Sequence, residues 1–347
     1  MKKQLLSLLL VAVLALSIIT VHAEEPTRIF TDSCGREVTV PAEITRIAPS
    51  SSLAQIILYA IAPEQMVSLS GHWDDRAQDM ILDEVYNLPV LGRLTGSADL
   101  NVEELAFADP QIIIDIGEPK DSISDDLETL QTQTQIPAVF ISSSLETLPE
   151  TFRTLGSLLG KEAEAEELAM FCEAIYTQTE DIMSEVDQKA NLLYVLGEEG
   201  LNVLAKDSYH AEIIDMLANN LAAVEKPVSK GLGNEVSMEQ ISLWNPDFVV
   251  FAAESIYSTV KEIPAWNQVQ AIVDDQYVEV PDLPHNWLGM PPSCQRYLAL
   301  IWLPSVLYPE HCTYDVQEEV TEFYELFYHC TLTDEQYAMI TANAFLK

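Results

Sequence analysis

The chain has 347 residues, 48% of them hydrophobic, and its 55 acidic and 17 basic side chains give a formal net charge of −38. This hydrophobic content excludes a disordered chain, and the length allows two domains with separate cores. The acidity argues against nucleic acid as a partner, because nucleic-acid binding requires clustered Lys and Arg. It leaves two explanations open, which are solubility or a preference for cationic ligands and basic partner surfaces.

Residues 1–23 have the composition of a secretory signal peptide. Lys2 and Lys3 precede an apolar run, and residues 21–23 end in a small-residue cleavage pattern. The alternative is an uncleaved membrane anchor, although the apolar run is at the short limit for spanning a bilayer. Cleavage removes two lysines and no acid, so the formal charge moves from −38 to −40. We expect a soluble monomer, not embedded in a membrane, in the periplasm or another extracytoplasmic space.

Short apolar strands alternate with helices along the first part of the chain. Residues 31–41 alternate around Gly35, which predicts a strand pair, and apolar strands follow at 66–69, 112–116 and 138–141. Such an alternation predicts a parallel sheet covered by helices on both faces.

A helical spacing of apolar residues follows, and it predicts a long helix from about 161 to 187. We expect Gly156 and Gly160 to interrupt the pattern before that helix. Because a stiff helix is the only evident connector, we expect modest closure of the two lobes. The strand at 191–196 restarts the alternation, and the tail from about 297 is predicted to be helical.

Two stretches, 101–115 and 237–251, repeat one pattern at an offset of 136 residues. In each, a capping residue opens a short amphipathic helix, a Pro ends it and an apolar strand follows. The repeat predicts two similar α/β lobes with a cleft between them. We assign residues 24–146 to the first lobe, 147–188 to a helical linker, and 189–347 to the second lobe with its tail.

The five cysteines form no Cys-x-x-Cys pair, so neither a zinc ribbon nor a redox motif is supported. Export permits disulfides, and we expect one between Cys312 and Cys330. The common catalytic signatures and metal-ligand spacings are also missing from the sequence. We therefore predict no catalytic residue, resident metal or cofactor.

Ligands in open parallel sheets lie beyond the carboxyl ends of the strands, and that rule nominates the loops after each strand. The candidate ligand-binding residues from these loops and the helix after them are Ser51, His72, Trp73, Tyr209, His285, Trp287 and Arg296. Aromatic side chains there can enclose a large planar or apolar ligand, and the two histidines suggest a ligand that carries a metal. Each histidine has a structural or surface role as its alternative. Arg296 either binds a ligand carboxylate or oxyanion, or forms a salt bridge that fixes its loop.

Residues 30–41, 46–50, 101–114 and the Pro-Pro-Ser-x-x-Arg of 291–296 resemble the substrate-binding proteins of ABC importers that carry iron–siderophores, haem, cobalamin and related chelates. The resemblance implies a class III periplasmic binding protein, with two Rossmann-like α/β lobes, central mostly parallel sheets and one long connecting helix. It also implies that Glu103 and Glu239 dock onto the permease. Their alternative role is stabilisation of a helix dipole.

The resemblance and the cleft residues together predict capture of a metal chelate and its delivery to an ABC permease. The first choice of ligand is an Fe(III)–siderophore or a similar iron complex. Haem or a corrinoid is the second choice, and a molybdate-type oxyanion is the third. An exported metal-dependent enzyme using the same cleft is the alternative from a different class.

Overall fold

The computed structural model describes residues 26–95, 101–228 and 232–347. The predicted signal peptide lies outside these residues. Within them, no helix has the length and apolar character needed to cross a bilayer.

The strands are β1 (Thr27–Thr31), β2 (Glu37–Pro41), β3 (Ile47–Pro49), β4 (Ile112–Gly117), β5 (Ala138–Ser142), β6 (Asn191–Leu196), β7 (Asn202–Val203), β8 (Asn219–Asn220), β9 (Asn234–Glu235), β10 (Phe248–Phe251) and β11 (Tyr277–Glu279). The helices are α1 (Ser52–Ile61), α2 (Asp83–Tyr86), α3 (Val102–Ala108), α4 (Ile123–Thr134), α5 (Leu148–Leu159), α6 (Glu162–Glu185), α7 (Glu212–Leu217), α8 (Met238–Trp244), α9 (Gln270–Val273), α10 (Arg296–Leu307), α11 (Val316–Tyr328) and α12 (Asp334–Ile340).

The N-terminal lobe combines a hairpin with a parallel sheet. β1 and β2 pair antiparallel around Gly35, which has a φ of 76°, so the predicted strand pair is confirmed. Asp32 accepts hydrogen bonds from the backbone N–H groups of Cys34 (3.0 Å), Arg36 (2.9 Å) and Phe140 (3.3 Å). Because Phe140 lies in β5, this buried carboxylate fastens the hairpin to the sheet. The sheet itself runs β3-β4-β5, with every pairing parallel.

The C-terminal lobe has a second, mostly parallel sheet with the strand order β11-β10-β6-β7-β9, and β8 pairs beside β6. β10 pairs parallel with both β6 and β11, whereas β7 pairs antiparallel with β6 and β9. β4 and β10 are buried along their whole length, as expected for strands covered by helices on both faces. The predicted architecture of two α/β lobes joined by one long helix is confirmed.

The connecting helix α6 has 24 residues, which corresponds to about 36 Å at 1.5 Å per residue. It begins and ends within two residues of the predicted limits. Gly160, with a φ of 70°, ends the preceding helix α5 as expected. The predicted interruption at Gly156 is wrong, because α5 continues through it. A Cβ on Gly156 would lie 2.5 Å from the Cβ of Ala165, so the glycine permits the close packing of α5 on α6.

The tail contacts elements of both lobes. α11 packs on α1, where the Tyr59 hydroxyl donates to the carbonyl oxygen of Tyr328 at 3.0 Å. Farther along, the Glu279 N–H donates to the carbonyl oxygen of Asn343 at 3.0 Å, so the tail covers the edge strand β11. We retain 24–146, 147–188 and 189–347 as our proposed division of the chain, with the tail as the segment that touches both lobes.

The cysteines do not pair as predicted, since all five are free thiols. Cys312 precedes α11 and Cys330 follows it, and 13 helical residues separate their positions by about 20 Å. The Sγ atom of Cys330 instead lies 4.0 Å from the carbonyl oxygen of Asp79. Burial raises the pKa of both thiols.

Candidate functional site

A cavity of about 530 Å³ lies where loops of the two lobes meet. Its N-terminal wall comes from residues 72–76. Its C-terminal wall comes from the residues that follow three strands of the second sheet, at 196–198, 252–254 and 282–286. The cavity therefore lies beyond the carboxyl ends of β6, β10 and β11, the position expected for a ligand site in an open parallel sheet.

An aromatic wall lines this cavity. The Trp73 ring is 3% exposed and packs between Tyr59 and His285, with centroid distances of 5.0 and 5.3 Å. Trp73 Nε1 and His285 Nε2 are buried, and neither has a hydrogen-bond partner in the described part of the chain. Because buried polar atoms are nearly always paired, two unpaired atoms in residues that line the cavity mark this wall as a candidate ligand contact.

The side chain of His285 is neutral at physiological pH. Burial lowers its pKa to about 4, and the nearby carboxylate of Asp74 opposes that shift only in part. A neutral imidazole keeps a nitrogen lone pair with which it can accept a hydrogen bond or contact a metal. Its neighbour in the cavity, His72, is exposed.

The rim of the cavity is acidic. The carboxylates that line it are Asp74, Glu198, Glu254 and Asp282. The single Arg of the lining, Arg76, places Nη2 2.6 Å from Asp74 Oδ2 and 2.8 Å from Asp282 Oδ2. The hydrogen bond from Arg76 holds the pKa of Asp74 below its usual value. Since Arg76 is already engaged by two carboxylates, the charge left for a ligand is negative.

A second cavity of about 510 Å³ contains Tyr209. The Tyr209 hydroxyl donates to the carbonyl oxygen of Ser143 at 2.9 Å, which joins the two lobes. Its ring lies 5.2 Å from the guanidinium of Arg296. Burial raises the pKa of Tyr209, and the positive charge of Arg296 opposes that shift. The predicted binding residues are thus divided, with His72, Trp73 and His285 in the first cavity and Tyr209 in the second.

Arg296 lines neither cavity. It is 3% exposed and forms an ion pair with Glu212, and its Nε donates to the carbonyl oxygen of Ser293 at 3.4 Å. The structure therefore gives Arg296 its alternative role, a salt bridge that fixes the loop before α10.

The prediction that Trp287 lines the cleft is wrong. Trp287 is completely buried, its Nε1 donates to the carbonyl oxygen of Leu283 at 3.4 Å, and its ring packs 6.3 Å from that of Trp302. Ser51 caps α1, accepting the N–H of Ala54 at 3.4 Å, and lies outside the lining of both cavities.

Sequence reasoning also missed several residues of the first cavity. Tyr194 accepts a hydrogen bond from Asn286 Nδ2 at 3.0 Å, and both line the cavity together with Leu232 and Met290. The rule about strand ends, applied to the strand at 191–196, would have nominated Glu198. No local sequence signal distinguishes Leu232, because its position depends on the fold of a loop between β8 and β9.

The two helices of the internal repeat are also equivalent in the structure. The Asn101 side chain accepts the Glu104 N–H at 3.2 Å at the start of α3, and Ser237 accepts the Gln240 N–H at 3.2 Å at the start of α8. Glu103 and Glu239 are exposed in the first turns. In the described part of the chain, no group of three or more His, Cys, Asp or Glu side chains is arranged to hold a metal ion.

Comparison with known proteins agrees with this fold. A family model described as periplasmic binding protein matches residues 66–283. An ABC transporter solute binding protein from Sulfurospirillum deleyianum is 26% identical, with a TM-score of 0.82 over 91% of this chain and 99% of that chain. A periplasmic solute binding protein from Veillonella parvula is 24% identical, with a TM-score of 0.75 over 92% of this chain and 98% of that chain.

The fold is shared more widely. The molybdate periplasmic binding protein MolA from Haemophilus influenzae is 19% identical, with a TM-score of 0.71 over 88% of this chain and 99% of that chain. No match was found among curated proteins. Since the family model covers more than half of the chain and the fold agrees along nearly all of it, the chain belongs to the periplasmic binding protein family and is a solute-binding protein of an ABC transporter.

Proposed function

We propose that the interlobe cavity captures a metal chelate, with an Fe(III)–siderophore or a similar iron complex as the first choice. One observation carries the proposal. The cavity wall holds two buried, unpaired nitrogen atoms, Trp73 Nε1 and His285 Nε2, beneath an acidic rim. The indole N–H can donate to a chelate oxygen, and the neutral imidazole can contact the metal or accept a hydrogen bond.

The rim also selects among iron complexes by charge. Asp74, Glu198, Glu254 and Asp282 outweigh Arg76, so a neutral or cationic complex is favoured over an anionic one. Three hydroxamates neutralise Fe(III), whereas three doubly charged catecholates leave an anion. We therefore place a ferric tris-hydroxamate ahead of a ferric tris-catecholate.

Haem remains the second candidate, because the cavity lining includes the aromatic residues Trp73, Tyr194 and His285, which a planar iron macrocycle can contact. A corrinoid is bulkier and ranks below haem for a cavity of about 530 Å³. MolA is named for molybdate, but an oxyanion is disfavoured here, since Arg76 and Arg296 are both engaged by carboxylates. Proteins of this family deliver ligands rather than transform them, so catalysis is not part of the proposal.

The test begins with native mass spectrometry and an absorption spectrum of the exported protein, purified from its host without denaturation. Tryptophan fluorescence is then titrated with a ferric tris-hydroxamate, a ferric tris-catecholate, haem and molybdate. We expect the tris-hydroxamate to bind at least tenfold more tightly than the tris-catecholate. His285→Gln is expected to weaken its binding, and His311→Gln, outside the cavity, to leave it unchanged. Binding of molybdate together with failure of every iron complex would refute the assignment.

We also propose that Glu103 and Glu239 dock the protein onto its permease, one from each lobe of a monomer. Each is exposed on the first turn of a helix that the internal repeat makes equivalent. Two equivalent contacts on one molecule raise the effective concentration of the second once the first has formed.

A further inference from the structure

Two exposed apolar side chains repeat across the lobes. Phe107 in α3 is 89% exposed, and Leu243 in α8, which follows it by the 136 residues of the internal repeat, is 73% exposed. Single exposed apolar residues are common on protein surfaces and need no explanation. Their recurrence at equivalent positions in two lobes is different, because an exposed apolar side chain occurs at the same helix position in both while most other residues of the two helices differ.

Each apolar side chain shares a helix face with an acid. Phe107 lies four residues after Glu103, and Leu243 lies four residues after Glu239, so each pair is adjacent on its helix surface. The residue midway between each pair is buried in the lobe core, as Leu105 is at 1% exposure. The packing of each helix on its sheet therefore turns the acid and the apolar residue outward together.

In both lobes, the helix turn that carries the acid lies toward the carboxyl ends of the strands. α3 is joined to β4 by residues 109–111, and α8 is joined to β10 by residues 245–247, so each helix returns antiparallel to the strand that follows it. The first turn of each helix is thereby brought to the edge where the carboxyl ends of the strands lie. That edge borders the cleft.

We propose that a two-part surface docks onto the ABC permease, one part made of Glu103 with Phe107 and the other of Glu239 with Leu243. The permease presents a basic group beside an apolar depression at two equivalent places. This inference rests on the proposed permease docking and adds its apolar component. The acids supply charge complementarity, and the apolar side chains supply an attraction that salt does not screen.

Charge identifies the occupant. A second copy of this chain would bring the same acidic faces together, and like charges oppose that contact. An anionic lipid surface is disfavoured by the formal charge of −38. A permease surface with basic groups is complementary to the acids, and it can bury Phe107 and Leu243 at the same time.

The test measures binding of the purified protein to permease complexes from the host organism, held in nanodiscs, at low and high salt. The variants are Phe107→Ser, Leu243→Ser and the double variant. Met170→Ser is the matched control, since Met170 is 59% exposed and belongs to the connecting helix α6, not to α3 or α8. The exchange Phe107→Leu with Leu243→Phe tests whether apolar character is sufficient.

We expect each single Ser variant to bind about tenfold more weakly, and the double variant more weakly still, by the same ratio at both salt concentrations. The control and the exchanged variant should bind like the wild-type protein, and all variants should keep its melting temperature. If the wild type binds a permease and the double variant binds equally well, the apolar component is refuted while docking stands. If the wild type binds no permease of its host, docking and this inference both fail. If the wild type self-associates and the double variant does not, the occupant is a second copy and the proposal is wrong.

Discussion

Arg76 and Asp282 join the two lobes at the mouth of the cavity, with Arg76 Nη2 2.8 Å from Asp282 Oδ2. Arg76 lies in the 3-10 segment Asp75–Met80 of the first lobe, and Asp282 follows β11 of the second. The same guanidinium also holds Asp74. One side chain therefore links the acidic rim of the cavity to the contact between the lobes.

Arg76→Gln should loosen the cavity mouth with little loss of overall stability. The Arg76 side chain is 56% exposed, so its ion pairs are expected to contribute no more than about 1 kcal/mol to the free energy of unfolding. Faster amide hydrogen exchange is expected at 73–77 and 282–288. Arg153→Gln is the control, because it removes an ion pair with Glu166 between α5 and α6, away from the cavity. Unchanged exchange at both segments would show that Arg76 does not hold the lobes together.

The neutral state of His285 makes a prediction about acid stability. Its pKa of about 4 in the folded protein lies below the value of 6.5 for an unperturbed histidine. The unfolded chain therefore binds the proton first, so stability is complete above pH 6.5 and is lost as the pH falls from 6.5 toward 4.

In urea denaturation, the free energy of unfolding of the wild type should fall between pH 7 and pH 4.5 by roughly 2 to 3 kcal/mol more than that of His285→Gln. Acid effects shared by the two proteins cancel in this comparison. An NMR titration that places the pKa of His285 near 6.5 would contradict the burial argument.

The local patterns of the sequence were sufficient for most of the architecture, although the strand predicted at 66–69 forms only isolated bridges, from Met66 to Ile47 and from Leu69 to Val90. The helix caps at Asn101 and Ser237, the strands after the two prolines and the limits of α6 depend on neighbouring residues, and the structure has all of them. The role of Gly156 could not be predicted, because it depends on contact with Ala165 in another helix.

The site was only partly predictable for the same reason. The strand-end rule places a loop at the cleft but does not tell which side chains of the loop face inward. In the loop at 282–288, His285 lines the cavity, whereas Trp287 turns into the core against Trp302. Trp287 packs against Trp302 in the middle of α10, a helix buried on nearly all sides, whereas His285 packs against Trp73 of the other lobe. Neither partner is contained in the loop sequence.

Trp73 and Trp287 should therefore respond differently to ligand. Trp73→Phe is expected to remove most of the fluorescence change produced by a ferric tris-hydroxamate, because Trp73 borders the cavity. Trp287→Phe should keep that change and lower stability instead, since it exchanges a fully buried ring and opens space against Trp302. Fluorescence titration and thermal melts of both variants separate the two roles. If Trp287→Phe removed the fluorescence change and Trp73→Phe kept it, the ligand would bind beside Trp287 and not at the cavity wall formed by Trp73.

Charge reversal at Glu103 and Glu239 should stop transport without affecting ligand capture. Both carboxylates are exposed on the outer faces of α3 and α8, away from the lining of the cavity, so Glu103→Lys with Glu239→Lys leaves the ligand contacts in place. We expect uptake by host cells to fall to background and each single reversal to cause a partial loss, because either lobe alone retains one contact. Glu335→Lys is the matched control, since Glu335 is an exposed acid in the first turn of α12. Glu335 has the same favourable position relative to its helix dipole as Glu103 and Glu239. If Glu335→Lys also lowered uptake, the effect of the reversals would be explained by helix stability instead of docking. A double reversal that weakens ligand binding as much as it weakens uptake would contradict a docking role.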